Sequence, residues 1–168
     1  MPAEPQRVVA AIGSFETDMV AVGVMPVLTS TFAGPWVELD DDVVVTENIP
    51  PTPEELLAVR PDLLVGWNWV TEEPVFDELA AIAPYVGLGE TAATAGPGFD
   101  GSAPMRSWDT LFLSVCDAVG KRAEGEVLVE ELEARIDEVA AARAGAPPLS
   151  VARIEFYESG TFSYRGLN

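Results

Sequence analysis

The chain has 168 residues, 48% of them hydrophobic, which is enough apolar material for a folded core and excludes wholesale disorder. The 9 basic and 28 acidic residues give a formal net charge of −19, which excludes nucleic acid and anionic membrane as main partners because both bind through a basic face. No apolar run reaches the roughly 18 residues that a membrane helix needs, so no membrane insertion is expected.

The first half of the chain alternates predicted strands and helices. Short apolar runs predict strands over residues 7–12, 25–29, 43–46, 63–66 and 85–88. Amphipathic segments with helix-start and helix-stop signals predict helices over residues 14–22, 53–60 and 73–83. This order predicts an α/β fold with an open parallel sheet flanked by helices.

One predicted helix has strong local signals at both ends. Thr52 is a good N-cap, Pro53 suits the first helical position, and Glu55 stands three residues after the cap, which together form a capping box. Glu55 is therefore expected to turn back onto the Thr52 amide, whereas Glu54 points outward. Pro61 ends the helix, because the residue before a proline avoids the α region.

The second half is predicted to be mainly helical. Residues 91–104, rich in Gly, Ala, Thr and Pro, form a predicted loop, and a helical region then extends to about Arg143 with Gly120 dividing it. Two sets of apolar residues at helical spacing are predicted to face a core: Leu111, Val115 and Val119, and then Leu128, Leu132, Ile136 and Val139. Residues 150–157 form one more predicted strand, and residues 161–164 begin another extended segment.

The composition excludes several catalytic and metal-binding classes. The chain has no histidine, which removes Ser-His-Asp and Cys-His catalysis and histidine metal sites. The single Cys116 cannot form an internal disulfide and lies in a helical context typical of a buried thiol. The run Asp40–Asp42 lacks the alternating ligands and the glycine of a calcium loop, so no metal site is predicted. Carboxylate-only chemistry, such as that of a metal-dependent phosphoester hydrolase, stays open as an alternative.

Four segments resemble one protein family. They are residues 7–27, which include Gly-Ser-Phe-Glu-Thr; residues 53–65, Pro-Glu-Glu-Leu-Leu-Ala-Val-Arg-Pro-Asp-Leu-Leu-Val; residues 79–84; and residues 107–136. They are similar to the opening strand and helix, a helix-to-strand motif, a short "L-x-x-I-A-P" motif and the linking helix of the substrate-binding proteins of iron-siderophore and vitamin B12 ABC importers (class III periplasmic binding proteins). The order Phe15-Glu16-Thr17 departs from the family, in which threonine precedes glutamate.

The resemblance implies a fold of two α/β lobes joined by one long rigid helix, with the ligand held between the lobes. On this basis residues 1–104 are an amino-terminal lobe, residues 105–146 the long linking helix, and residues 147–168 the first strands of an incomplete carboxyl-terminal lobe. The resemblance also implies a binding protein and not an enzyme, without catalytic residues, a cofactor or direct ligation of metal by the protein.

Individual residues receive roles from the same resemblance. Glu54 matches the glutamate with which the family's first lobe reaches an arginine pocket on the permease. Trp67 lies just past a buried strand, where cobalamin-binding members place a tryptophan against the ligand, and aromatic walls suit bulky, partly apolar chelates. The other ligand-binding candidates are Trp69 two residues further on, Trp36 in the loop after the second strand, Arg106 before the long helix, and Tyr164 and Arg165 near a second-lobe hairpin.

The predicted function is capture of a ferric siderophore by the extracytoplasmic component of an ABC importer and its delivery to the transmembrane permease subunits. Few basic residues lie near the predicted cleft, so a hydroxamate chelate is favoured over a triply anionic catecholate. Cobalamin is the alternative ligand. The chain as given has no secretory signal, and the resemblance implies a periplasmic or cell-surface lipoprotein parent. With an incomplete second lobe, the chain alone is expected to bind weakly or not at all.

Overall fold

The chain divides into two compact units, Met1–Glu131 and Leu132–Asn168. The computed structural model describes residues 4–11, 15–30, 37–89, 108–146, 151–156 and 162–167. In these residues the first unit carries a parallel sheet with helices on both faces, and the second carries an antiparallel strand pair.

The described strands of the first unit form one parallel sheet: β1 (Val8–Ala10), β2 (Leu28–Ser30), β3 (Val44–Thr46), β4 (Leu63–Trp67) and β5 (Tyr85–Leu88). Their order across the sheet is β3-β2-β1-β4-β5, so the strand order reverses between β1 and β4. At this junction Val8 pairs with Leu63 and Ala10 with Val65. The predicted open parallel sheet is confirmed.

The helices in the described part of the chain are α1 (Phe15–Ala21), α2 (Pro53–Val59), a 3-10 helix (Asn68–Glu72), α3 (Phe76–Ile82), α4 (Trp108–Ala118) and α5 (Arg122–Ala142). The helix predicted over residues 73–83 begins later, at Phe76, because the chain leaving β4 first forms the 3-10 helix. Among these described helices, none combines the length and the apolar character needed to cross a membrane.

The predicted division at Gly120 separates α4 from α5. Gly120 has a φ of 71°, in the left-handed region where glycine commonly ends a helix. The Lys121 N–H then donates to the Cys116 carbonyl at 2.7 Å, which closes the last turn of α4. Cys116 itself is buried, as predicted, and burial is the main cause that raises the pKa of its thiol to about 11.

Each face of the sheet is covered by a different pair of helices. Alternate residues of β1 and β4 point to opposite faces, so both strands are buried on both sides. The core beneath α1 and α4 comprises Val8, Ala10, Phe15, Met19, Val22, Leu63, Val65, Leu88, Val115, Cys116 and Val119. The core beneath α2 and α3 comprises Val9, Ala11, Leu28, Leu56, Val59, Leu64, Val70, Leu79 and Ala83.

Polar contacts tie the start of β4 to the start of β1. The Asp62 carboxylate accepts hydrogen bonds from the backbone N–H groups of Gln6 at 2.8 Å and Arg7 at 3.0 Å. The Arg7 guanidinium donates to the Val59 carbonyl at the end of α2, at 2.9 Å from Nε and 2.6 Å from Nη2. These bonds satisfy backbone groups that the sheet and helix leave unpaired, and they fix β4 beside β1.

The second apolar face of the predicted helical region is buried only at its start. Leu128 packs against the core beneath α1 and α4, but Leu132, Ile136 and Val139 are 46%, 50% and 51% exposed. The prediction that these three residues face a core is therefore wrong for the described chain. Helical spacing identifies an apolar face, and burial also requires an element that covers it.

The described part of the second unit contains β6 (Val151–Phe156) and β7 (Phe162–Leu167), which pair antiparallel. Both segments predicted to be extended near the end of the chain are confirmed as strands. In their register Arg153 lies opposite Arg165, and Ile154 lies opposite Tyr164.

Two acids in α1 lie in an unusual environment for the first turn of a helix. Glu16 is fully buried and Asp18 is half-buried. Burial, followed by the neighbouring charge of Glu16, raises the pKa of Asp18 from 3.8 to about 6. Between these two values the folded protein holds a proton that the unfolded chain has released, so folding becomes less favourable as the pH rises through this window.

Asp18→Asn is expected to increase the free energy of unfolding at pH 8 by about 1–2 kcal/mol, because the amide removes the cost of a partly buried charge. This free energy is smaller than the one that corresponds to the whole pKa shift, because solvent screens the charge of a partly exposed side chain. At pH 4 the folded protein already holds Asp18 protonated, so the gain should nearly vanish. Urea unfolding at the two pH values measures the difference.

Asp77→Asn, at an exposed position in the first turn of α3, provides the matched control and should give no gain in stability at pH 8, because no buried charge is removed. A gain from Asp18→Asn that is equal at both pH values, or a loss of stability at pH 8, would contradict the assignment.

Candidate functional site

The candidate ligand site lies at the carboxyl-terminal edge of the sheet, between β1 and β4. In an open α/β sheet, a crevice forms outside the carboxyl ends of the strands where the strand order reverses, and ligands bind there. The order β3-β2-β1-β4-β5 places this reversal at the β1–β4 pair. The last residue of β4, Trp67, is therefore at the edge where a ligand is expected.

Trp67 is half-buried and held between two elements of the first unit. Its ring lies 4.8 Å from the Phe15 ring of α1, with an angle of 47° between the planes. The indole also covers Gly89, where a Cβ atom would come within 2.7 Å of Trp67 Cε3. Gly89 also has a φ of 83°, so both its backbone and the indole above it favour glycine. The indole thus has a defined position at the edge of the sheet.

Two hydrogen bonds between the β4 and β5 segments support this position. The Tyr85 hydroxyl donates to the Trp67 carbonyl at 3.0 Å, and the Asn68 side-chain amide donates to the Gly89 carbonyl. Burial raises the pKa of Tyr85, so its hydroxyl keeps its proton and remains a donor. The backbone on either side of the indole is therefore tied to the neighbouring strand.

The other predicted ligand-binding residues are described by their backbone alone or lie outside the described residues. β4 ends at Trp67, so Trp69 lies in the 3-10 helix and not on a continued strand, and its side chain is outside the described residues. Trp36 and Arg106 also lie outside the described residues. The backbones of Tyr164 and Arg165 belong to β7 in the second unit, and their side chains are not described. The ligand-binding roles of these residues stay predictions.

Residues that the sequence did not single out also lie at this edge. Thr29 and Ser30, at the end of β2, are fully buried, and their hydroxyls have no hydrogen-bond partner among the described residues. Thr29 pairs with Ala10 at the end of β1. Their position in the sequence could have identified them, because they directly follow the apolar residues Val27 and Leu28, at the edge where parallel strands present ligand groups.

The amino-terminal end of α2 forms a second polar feature at the same edge of the sheet. The predicted capping box is present: the Glu55 N–H donates to Thr52 Oγ1 at 3.3 Å, and the Thr52 N–H donates to Glu55 Oε2 at 2.7 Å. The other carboxylate oxygen, Glu55 Oε1, accepts from the Thr46 hydroxyl at 2.5 Å and the Asn48 amide at 3.0 Å. These bonds, that from Thr46 first, lower the pKa of Glu55.

Glu54 has the opposite environment. It is exposed, and it makes no hydrogen bond or ion pair with any other described residue. The expectation that Glu55 turns inward and Glu54 points outward is therefore confirmed. A free carboxylate in the first turn of a helix can pair with a cationic group on another molecule. The docking role of Glu54 itself stays a prediction.

The described residues contain no group of three or more Cys, Asp or Glu side chains arranged to hold a metal ion. The polar groups that follow the carboxyl ends of the described strands include hydroxyls, amides and carboxylates, among them Glu47, Glu72 and the acids of α1 and α2. The carboxyl-terminal edge of such a sheet can contact a bulky ligand through an aromatic surface and neutral hydrogen-bonding groups.

Comparison with known proteins gives one matching family. The family model described as periplasmic binding protein matches residues 9–166. No curated protein sequence matches the chain.

Solved structures match the chain over most of its length. SirA from Staphylococcus aureus, complexed with staphyloferrin B, has a TM-score of 0.65 and 22% identity, covering 93% of this chain and 52% of that one. A periplasmic solute binding protein from Mycobacterium smegmatis has a TM-score of 0.64 and 27% identity, covering 83% and 50%. FhuD from Vibrio cholerae, bound to Fe3+-Desferal, has a TM-score of 0.63 and 20% identity, covering 88% and 56%. The chain thus spans about half the length of these structures and shares their fold.

Proposed function

The chain belongs to the periplasmic binding protein family, and on this premise we propose that it acts in the extracytoplasmic solute-binding component of an ABC importer that captures a ferric siderophore. The family consists of binding proteins, so the hydrolase alternative is set aside. We further propose that residues 1–104 form its amino-terminal lobe, residues 105–146 the linking helix and residues 147–168 the start of the second lobe.

The observation that carries this proposal is the placement of Trp67. Its indole lies at the carboxyl end of β4, beside the reversal of strand order, and it is held there by Phe15 and Gly89. A fixed aromatic surface contacts a bulky, partly apolar chelate without a large loss of side-chain entropy. Matching structures of SirA and FhuD contain staphyloferrin B and Fe3+-Desferal, which supports a ferric siderophore as the ligand class.

The charge of the edge favours a neutral or cationic chelate of the hydroxamate type. Arg7 and Arg60 lie at the opposite, amino-terminal edge of the sheet, where β1 and β4 begin. Among the described residues, no Lys or Arg follows the carboxyl end of a strand in this sheet. With only Arg106 and Arg165 as candidate cations, a triply anionic catecholate would be poorly neutralised in this acidic protein, which costs free energy. Cobalamin, which also suits an aromatic wall, is the alternative ligand.

Trp69, Trp36, Arg106, Tyr164 and Arg165 are proposed to complete the ligand contacts. The family holds its ligand between two lobes, and this chain spans about half the length of its matching structures. We therefore expect the chain alone to bind its ligand weakly, because enclosure of most of the ligand surface is what gives such sites their affinity.

Titration of the chain with ferrioxamine B should give weak, saturable quenching of tryptophan fluorescence after correction for absorption by the chelate. Trp67→Phe should reduce the quenching, leaving the part contributed by Trp36 and Trp69, and weaken binding about two- to fivefold, because loss of part of an aromatic contact costs a fraction of a kcal/mol. Phenylalanine keeps a ring against Phe15, so the fold should be retained.

Trp108→Phe is the matched control, since Trp108 is 47% exposed at the start of α4 and should not affect binding. Parallel titrations use a ferric catecholate and cyanocobalamin. If cyanocobalamin quenches the fluorescence and neither ferric siderophore does, the ligand is cobalamin and not a siderophore. Equal quenching in the wild type and in Trp67→Phe would show that Trp67 does not contact the ligand.

We also propose that Glu54 docks the protein on the transmembrane permease subunits. It is an exposed first-turn carboxylate with no partner among the described residues, which suits it to a cationic pocket. Glu54→Ala should weaken binding to the permease about tenfold or more, as loss of a charge-assisted hydrogen bond implies. Biolayer interferometry with the permease in lipid nanodiscs measures the dissociation constant.

Asp77→Ala provides the control for Glu54→Ala, because Asp77 has the same position, second in its helix, in α3 and is also exposed. The Asp77 variant should bind like the wild type. Unchanged affinity in Glu54→Ala, or an equal loss in Asp77→Ala, would show that net charge and not Glu54 governs docking.

A further inference from the structure

The Glu55 carboxylate joins three separate points of the chain. Its Oε1 atom accepts from the Thr46 hydroxyl at 2.5 Å and from the Asn48 side-chain amide at 3.0 Å. Its Oε2 atom accepts from the Thr52 backbone N–H at 2.7 Å. The Asn48 backbone N–H also donates to Thr46 Oγ1 at 3.0 Å. We name this set of four residues, Thr46, Asn48, Thr52 and Glu55, the Glu55 clamp.

The clamp connects a fixed point of the sheet to the first turn of α2. Thr46 is the last residue of β3, pairs with Ser30 of β2 and is only 4% exposed. Thr52 is the N-cap of α2. One side chain therefore closes the connection between strand and helix at both of its ends. This goes beyond a capping box, which joins only the N-cap and the third helical residue.

The position of Glu54 depends on this connection. Glu54 directly precedes Glu55 and makes no hydrogen bond or ion pair of its own with another described residue. Its place on the surface is consequently set by the backbone of the first turn of α2. The hydrogen bonds of Glu55 hold that turn. The next residue, Leu56, also holds it, because its side chain is fully buried in the core.

We propose that Glu55 is a positioning residue for docking: by tying the α2 amino terminus to Thr46, it holds Glu54 in the geometry that the permease recognises. This inference rests on the proposed docking role of Glu54. Because a binding pocket for one carboxylate tolerates only small displacements, movement of this turn should weaken docking even though Glu54 is intact. A residue that only stabilised the fold would have no specific coupling to Glu54.

The charge of Glu55 matches the donors around it. A hydroxyl, a side-chain amide and a backbone N–H all point at the two carboxylate oxygens, and they hold its pKa below the ordinary value. Glutamine in its place keeps one acceptor oxygen but adds an NH2 group, which would face either the Thr46 hydroxyl and Asn48 amide or the Thr52 N–H. Glu55→Gln therefore removes the charge of the clamp and one of its two acceptor oxygens with little change in volume.

A double-mutant cycle on binding to the permease tests the proposal. Glu55→Gln and Thr46→Val, which removes the hydroxyl, should each weaken binding about three- to tenfold. Thr46→Ser keeps the hydroxyl and should bind within about twofold of the wild type. In a Glu54→Ala background, Glu55→Gln and Thr46→Val should cause no further loss, because the group that they position is absent.

The outcomes separate the two proposals. If Glu54→Ala binds like the wild type, the docking role fails and the positioning role fails with it. If Glu54→Ala loses affinity but Glu55→Gln and Thr46→Val do not, docking stands and the clamp is structural only. Equal losses in both backgrounds would also overturn the positioning role. Thermal melting of each variant identifies any that fails to fold. If Glu55→Gln does not fold, the comparison of Thr46→Val with Thr46→Ser still shows whether the clamp positions Glu54.

Discussion

The pairing of β1 with β4 determines where the candidate ligand site lies, and the Asp62 carboxylate fixes this pairing at its start. Asp62 accepts from the backbone N–H groups of Gln6 and Arg7 just before β1. β4 then runs beside β1 with Leu63 opposite Val8 and Val65 opposite Ala10. A shift of one residue would move every side chain of β4 to the other face of the sheet. The strand would then deliver Trp67 to the wrong side of the edge.

Helix α2 is fixed at both ends by side chains from other elements. At its carboxyl end the Arg7 guanidinium binds the Val59 carbonyl, and at its amino end the Glu55 clamp binds the end of β3. These contacts lie on opposite edges of the sheet. The helix that presents Glu54 is thus attached to the same β1–β4 framework that presents Trp67. The proposed ligand contact, Trp67, and the proposed docking residue, Glu54, consequently share one support, as accurate placement requires.

Local signals in the sequence predicted most of the fold of the first unit. Short apolar runs located the strands, Thr52 with Glu55 predicted the cap of α2, and Gly120 marked the end of α4. These features depend on residues that are near one another in the chain, so propensity and spacing describe them. The resemblance to a known family then identified the fold class, which the matching structures share.

Features that depend on contacts between distant segments were not predictable in this way. Nothing in the sequence indicates that Thr46 bonds to Glu55, that Phe15 and Gly89 hold Trp67, or that Glu16 is buried. The exposed face of α5 is the converse case. Its spacing is that of a core helix, but burial depends on a covering element, which spacing does not specify.

If a ferric siderophore contacts the carboxyl-terminal edge of this sheet, as proposed, its iron should broaden the NMR signals of the amides at that edge. High-spin Fe(III) broadens nearby amide signals steeply with distance, and the gallium complex of the same chelate is the diamagnetic reference. With ferrioxamine B, the amides of Gly66, Asn68 and Gly89 should broaden, while those of Arg7 and Val27 at the opposite edge keep their widths. Broadening centred on Arg7 and Val27, with the signals of Gly66, Asn68 and Gly89 unchanged, would exclude ligand contact at the carboxyl-terminal edge.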